Sequence, residues 1–170
     1  MAADDKKAKS SNGKSEAAPA PEPVVAVLGQ YVKDLSFENP NAPQSFQQQQ
    51  QTQQPKLDIT IAVGVREMGD NVHEVMLSVE NRLSKDKMVL FHLQLEYAGA
   101  FRVEGLPEDV KNQVLRIQCP TLLFPFVRRL VADLTRDGGF PQLYLDPIDF
   151  GQLYMQELAK QQAAGGKVTV

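Results

Sequence analysis

Tryptophan is absent from the 170 residues, cysteine occurs once and histidine twice. The single thiol, Cys119, cannot close an internal disulfide, so the fold has to rest on burial rather than on covalent staples. His73, His92 and Cys119 do not supply the three or four ligands in the spacing that a zinc site requires, and no metal is expected. No glycine-rich loop lies between a strand and a helix. Gly138-Gly139 follows a helix and precedes Phe140-Pro141, so neither a phosphate cradle nor a nucleotide-driven cycle is expected, and no cofactor. Missing too is any window near the roughly 20 apolar residues that cross a bilayer, which excludes direct membrane insertion by a helix. No N-terminal run joins positive charge to an apolar segment and a cleavage site, so a cytoplasmic, reducing location is expected. Finally, the basic excess that nucleic acid or anionic lipid demands is lacking: Lys and Arg number 18 against 21 Asp and Glu, a net charge of −3. A basic protein partner suits this balance better.

What is present is enough for one domain. Residues 1–23 carry Ala, Lys, Asp, Ser and Pro with almost no large apolar side chain, and predict a disordered arm whose lysines are balanced by Asp4, Asp5, Glu16 and Glu22. From Val24 the pattern alternates. Val25, Val27, Tyr31, Leu35 and Phe37 share one parity while Gln30, Asp34, Ser36 and Glu38 share the other, which predicts a strand with one buried face. It stops at Glu38-Asn-Pro-Asn-Ala-Pro43, and a tract with eight glutamines in residues 44–54 reads as a solvated connector. Three more alternating runs follow, through Leu57–Arg66, Glu74–Leu83 and Val89–Tyr97, parted by turn residues at Met68–Asn71 and Lys85–Lys87. Short connections predict an antiparallel four-stranded meander with one apolar face.

The period then changes. Pro107-Glu108-Asp109 opens a helix with Val110, Val114 and Ile117 on one stripe, and Pro120 is expected to end it. Pro125 is expected in the first turn of a second helix that Gly138-Gly139 terminates. Asp146-Pro147 is expected to cap a third helix reaching about Lys160. The fold class is therefore α+β, with helices packed on one face of an antiparallel sheet. The domain spans 24–162 and a flexible tail spans 163–170. Catalytic groups do not converge: His73 lies on the apolar parity and His92 on the polar one. Cys119 reads as a small apolar residue before Pro120, and no enzymatic activity is expected.

Two stretches resemble a known family. Tyr31-Val-Lys-Asp-Leu-Ser-Phe-Glu-Asn-Pro-Asn-Ala-Pro43 is similar to a segment of the SecB protein-export chaperones. So is Cys119-Pro-Thr-Leu-Leu-Phe-Pro-Phe-Val-Arg128 continuing to Gly138-Gly-Phe-Pro-Gln-Leu-Tyr-Leu-Asp-Pro147. With the hairpins between them in order, the likeness covers roughly residues 24–160.

The resemblance implies an ATP-independent chaperone that holds unfolded secretory or outer-membrane precursors and delivers them to the SecA motor, working as a homotetramer, a dimer of dimers. It implies a client groove lined at Tyr31, Leu57, Ile59, Phe140, Tyr154 and Leu158, with packing in the core as the alternative for each. Phe140 to Pro147, too apolar for a surface connector and bounded by prolines, fits a lip over that groove. It further implies a SecA-binding surface at Asp34 and Glu38, where the family's leucine and glutamate on the fourth strand are replaced by His92 and Gln94. A subunit contact at Leu93, Leu95 and Tyr97 is implied as well, with the internal core as the alternative. A SecB-like chaperone serving a toxin–antitoxin pair is the neighbouring possibility, and it would lack the acidic surface.

Overall fold

A computed structural model describes residues 23–48 and 55–165; the arm before Pro23, residues 49–54 of the glutamine tract and residues 166–170 lie outside the described residues. The four alternating runs form β1 (Val24–Glu38), β2 (Lys56–Gly69), β3 (Val72–Lys85) and β4 (Met88–Glu104). Asp70 and Asn71 join β2 to β3 with φ of 49° and 58°, a two-residue hairpin loop of the kind that short polar side chains tolerate.

All neighbouring strands are antiparallel, in the order β1-β4-β3-β2. Only β2, β3 and β4 form the expected meander. β1 does not pair with β2; it lies beside β4 at the opposite edge. The connector after Glu38, with its prolines and the short helix α1 (Gln44–Gln48), is too long for a tight hairpin. It returns the chain to the far edge in the manner of a Greek key.

The register of β1 departs from strict alternation in two places, between Val27 and Gly29 and between Val32 and Asp34. Each bulge inserts one residue and turns the strand over. Val25 and Val27 pair with Val103 and Phe101, and Leu35 and Phe37 pair with Leu95 and Leu93, all on the helix-bearing face. Tyr31, between the bulges, pairs with Ala98 and faces the other way. The single buried face expected for this strand is corrected accordingly. Moreover Val25, Val27, Tyr31 and Leu35 are all more than a third exposed, because β1 is an edge strand. A third bulge, at Leu83/Ser84, turns Val89 away from the core and leaves Leu90 fully buried although it stands at a polar position of the pattern.

Helix α2 (Glu108–Gln113) leads through a π-helical turn at Val114–Gln118 directly into α3 (Cys119–Asp137). Pro120 therefore does not end a helix. The π turn shifts the hydrogen-bond ladder just ahead of it, and proline is tolerated in the first turn of the segment that follows; Pro125 lies inside α3 rather than at a start. Gly138 closes α3 by donating its N–H to Leu134 O at 2.8 Å, and Gly139, at φ 84°, turns the chain out. The last helix, α4 (Phe150–Gly165), starts later than expected. Asp149 caps it, its Oδ1 accepting from Gln152 N at 3.0 Å, and Asp146 does not. Residues 163–165, expected in the tail, are helical.

Helix α3 crosses β3 and β4. Leu77, Val79, Leu93, Leu95 and Phe101 of the sheet meet Leu123, Val127 and Val131 of α3 in one core. Each such side chain contributes about 1.5–3 kcal/mol by leaving water. The even-numbered side chains of β3 from Val72 to Arg82 and of β4 from His92 to Arg102 occupy the other sheet face, which none of the helices covers among the described residues. Two edges and one open face are thereby left for binding.

Candidate functional site

The loop between α3 and α4 is held by Thr135. Its hydroxyl donates to Val131 O at 2.9 Å and accepts from Leu143 N at 3.0 Å, and its carbonyl accepts from Phe140 N at 3.0 Å. Phe140 is thereby pressed onto an aromatic cluster, 5.0 Å from the Phe91 ring, 6.0 Å from Phe46 and 6.5 Å from Phe37. Beside it opens a cavity of about 360 Å³ whose walls include Leu57, Leu83, Phe91, Phe140, Pro141 and Leu143. Almost no polar group lines it, and the loop forms one of its walls.

Of the residues expected in the groove, Leu57 and Phe140 come together here. Ile59 stands next to Leu57 on the same face of the edge strand β2 and is 44% exposed, so it extends the apolar surface. Tyr154 and Leu158 lie elsewhere, on α4, both half-buried. Tyr154 borders a separate cavity with Ile117 and Met155 where α4 packs on the π turn, near an Arg116–Glu157 pair at 3.7 Å. Tyr31 lies apart from this cavity: the two bulges place it on the open face, at the edge opposite Leu57. Phe46, Leu83 and Phe91 were missed. The one available signal was Phe46 itself, an aromatic residue inside an otherwise polar glutamine tract.

Tyr31 instead donates its hydroxyl to Glu74 Oε1, while Lys33 Nζ lies 2.7 Å and Arg66 Nη2 3.2 Å from Glu74 Oε2. Glu74 belongs to β3 and its side chain is 5% exposed, although its position reads as a solvated one. Ala98 and Ala100 of β4 are small enough for side chains from β1 to reach across to it. The hydrogen bonds from Lys33 and Tyr31 hold the Glu74 carboxyl below its usual range against the opposing effect of burial, and donation to Glu74 raises the Tyr31 phenol.

Further along the open face Asp34, Ser36 and Glu38 pair with Glu96, Gln94 and His92. The second bulge sets the two expected carboxylates on one side of the sheet. His92 Nε2 meets Glu80 Oε1 at 2.8 Å, and a shallow cavity of about 220 Å³ is bordered by Asp34, Glu80, Gln94 and Glu96. Glu96 and Glu80 thus add carboxylates where Gln94 lacks one.

Leu93, Leu95 and Tyr97 are 0%, 1% and 8% exposed within one protomer, with Phe126 of α3 stacked on Tyr97 at 6.0 Å, which is the placement of the core alternative. Their apolar parity faces α3. The uncovered apolar surface is on β1, where Val24, Val25, Val27, Leu28, Val32 and Leu35 are each at least 38% exposed. As for catalysis, Cys119 is fully buried and burial pushes its thiol up to about 12, so it is no nucleophile near neutrality. His73 is buried on the core face.

Known proteins share this arrangement. The family model described as preprotein translocase subunit SecB matches residues 18–161. The protein-export protein SecB of Bradyrhizobium diazoefficiens is 50% identical over 152 residues, covering 89% of this chain and 92% of that protein. That of Afipia carboxidovorans is 51% identical over 139 residues, covering 82% and 85%. Among solved structures, a SecB-like chaperone of Mycobacterium tuberculosis in complex with an antitoxin peptide superposes with a TM-score of 0.58 at 17% identity, covering 73% of this chain and 90% of that one. At that identity the likeness shows a common fold.

Proposed function

The chain belongs to the SecB family of protein-export chaperones, and from that membership we propose that it captures unfolded precursor polypeptides without ATP, keeps them competent for translocation and delivers them to SecA. The apolar cavity beneath the Phe140 loop carries this reading. A client side chain entering it gains roughly 25 cal/mol per Å² of apolar surface removed from water, a non-directional gain that needs no sequence code. Release needs no nucleotide either: a client that folds buries the same side chains in itself, so slow folders are retained. Several such cavities on one oligomer hold one chain far more tightly than each alone.

Leu57→Asp puts a charge on the cavity wall and is expected to weaken capture of an unfolded precursor by about tenfold or more. The check is a refolding assay of a slow-folding precursor without nucleotide. Normal arrest by the variant would remove the cavity from the mechanism.

SecA is the proposed acceptor, with Asp34 and Glu38 meeting a basic segment of it. Their shared face and the added carboxylates of Glu80 and Glu96 support this, whereas a chaperone dedicated to a toxin–antitoxin pair has no need of the surface. Asp34→Lys with Glu38→Lys is expected to lower SecA affinity by about ten- to a hundredfold while client holding is kept. Calorimetry with unchanged affinity refutes that role. The proposed tetramer is built through β1, since an exposed apolar edge strand with unpaired main-chain groups favours pairing with a second copy. Work between precursor synthesis and SecA places the protein in the cytoplasm.

A further inference from the structure

One polar side chain interrupts the buried row of β3. Val75, Leu77, Val79 and Leu83 share a parity with Asn81, which is fully buried, and among the described residues neither its Oδ1 nor its Nδ2 has a hydrogen-bond partner. Its lateral neighbours, Ile59 of β2 and Leu93 of β4, are apolar. A carboxamide taken from water without new partners costs stability that an aliphatic side chain would not. The apolar cavity beneath the Phe140 loop begins one rung away. Leu57, Leu83 and Phe91 form one rung of the sheet and all wall the cavity, while Ile59, Asn81 and Leu93 form the next. Two residues along a strand span about 6.6 Å, which is within the reach of a side chain that ends in a para-substituted ring.

We propose that this cavity prefers tyrosine as its client anchor, the ring filling the apolar space and the phenol hydroxyl pairing with the Asn81 carboxamide. The inference deepens the client reading and rests on it. Leu57, Leu83, Phe91 and Phe140 favour any large apolar side chain, but a carboxamide both donates and accepts, and a hydroxyl matches it by doing the same. Tyrosine joins an apolar body to such a tip. Phenylalanine gains by burial alone and leaves the amide unpaired, whereas a charged tip would have to be desolvated among apolar walls. Leu83, only half-buried, stands between the cavity and the amide, and it is the side chain that turns aside as the ring enters. The preference grades clients without excluding any.

The test uses the full chain and fluorescent extended peptides that differ at one anchor position, which carries tyrosine, phenylalanine or 4-methylphenylalanine. The last has the shape of tyrosine and no hydroxyl. The tyrosine peptide is expected to bind about tenfold more tightly than either of the others. Asn81→Val, whose branched side chain suits a strand interior, is expected to abolish that preference and leave the phenylalanine peptide unchanged. Equal binding of the tyrosine and 4-methylphenylalanine peptides by the unaltered protein overturns the proposal, and this comparison needs no variant to fold. A tyrosine preference that survives in Asn81→Val overturns it too. Leu57→Asp separates the two readings. It is expected to weaken all three peptides in parallel; if it weakens none, the cavity is not the client site and both readings fall. If it weakens all three while tyrosine and 4-methylphenylalanine bind alike, the cavity stands and the Asn81 pairing alone is lost.

Discussion

Gly138→Val is expected to destabilise the protein by about 3 kcal/mol and to abolish client capture along with it. At φ −72° the backbone itself accepts a side chain, so the cost is purely one of space. A Cβ at this position would overlap Cζ and Cε1 of Phe37. That ring is held by two neighbours: it stacks on Phe91 at 5.6 Å and meets Phe140 at 6.5 Å. Pushing it aside disturbs the rings that wall the apolar cavity, so stability and binding fall together. Gly139 adds to the constraint, because a Cβ there would lie 2.6 Å from Phe46 Cε1 at φ 84°, a conformation that side chains disfavour. Urea denaturation measures the effect. Combining Gly138→Ala with Phe37→Leu should recover part of the loss, since the two positions share one contact. An unchanged midpoint for Gly138→Val would show that the aromatic cluster is loosely packed, and the cavity with it.

Glu74→Ala is expected to cost about 2–3 kcal/mol, less than a fully enclosed pair would, because Lys33 and Arg66 keep part of their hydration. The loss leaves the Tyr31 hydroxyl and the Lys33 ammonium without their acceptor and unties β1 from β3. Its pH dependence follows from the direction of the shift. The folded protein holds the Glu74 carboxyl below its ordinary value of 4.5, so the unfolded chain takes up a proton first as pH falls. The stabilisation is complete above about pH 4.5 and is lost as pH drops through the lower folded value. Denaturation between pH 7 and pH 3 is expected to show a steeper acid loss for the unaltered protein than for Glu74→Gln. Parallel curves would remove Glu74 from the account. Because β1 carries the apolar edge, a change in oligomer mass is expected over the same acid range.

Alternation alone sufficed for four strands, and the helical period together with Gly138-Gly139 sufficed for the end of α3. Leu57 and Phe140 were named as site residues only through the resemblance; the run from Phe140 to Pro147 was legible by itself as too apolar for a surface connector, and the structure sets both residues beside one cavity. Asp34 and Glu38 were legible as a pair because two-residue spacing fixes a common side. Tyr31 was not. Its parity matched Val27 and Leu35 in the sequence, but a bulge costs one residue and leaves no compositional mark, so two of them reversed its direction unseen. Glu74 was hidden for a related reason: its partners come from β1 and β2, and its burial depends on strand order rather than on neighbours in the chain. Leu93, Leu95 and Tyr97 carried a legible apolar pattern whose partner was not. Either α3 or another subunit would have satisfied it.

What the sequence by itself determined is the local inventory: which segments alternate, which turn and which carry charge. These are properties of residues a few positions apart, and short-range sterics and hydrophobic period decide them. Only the tertiary structure decided that β1 lies against β4, that the core face of β4 is covered by α3 of the same protomer, and that the Phe140 loop walls an apolar cavity. Each of those depends on contacts between residues far apart in the chain, where many pairings bury similar area and only packing of the whole selects among them.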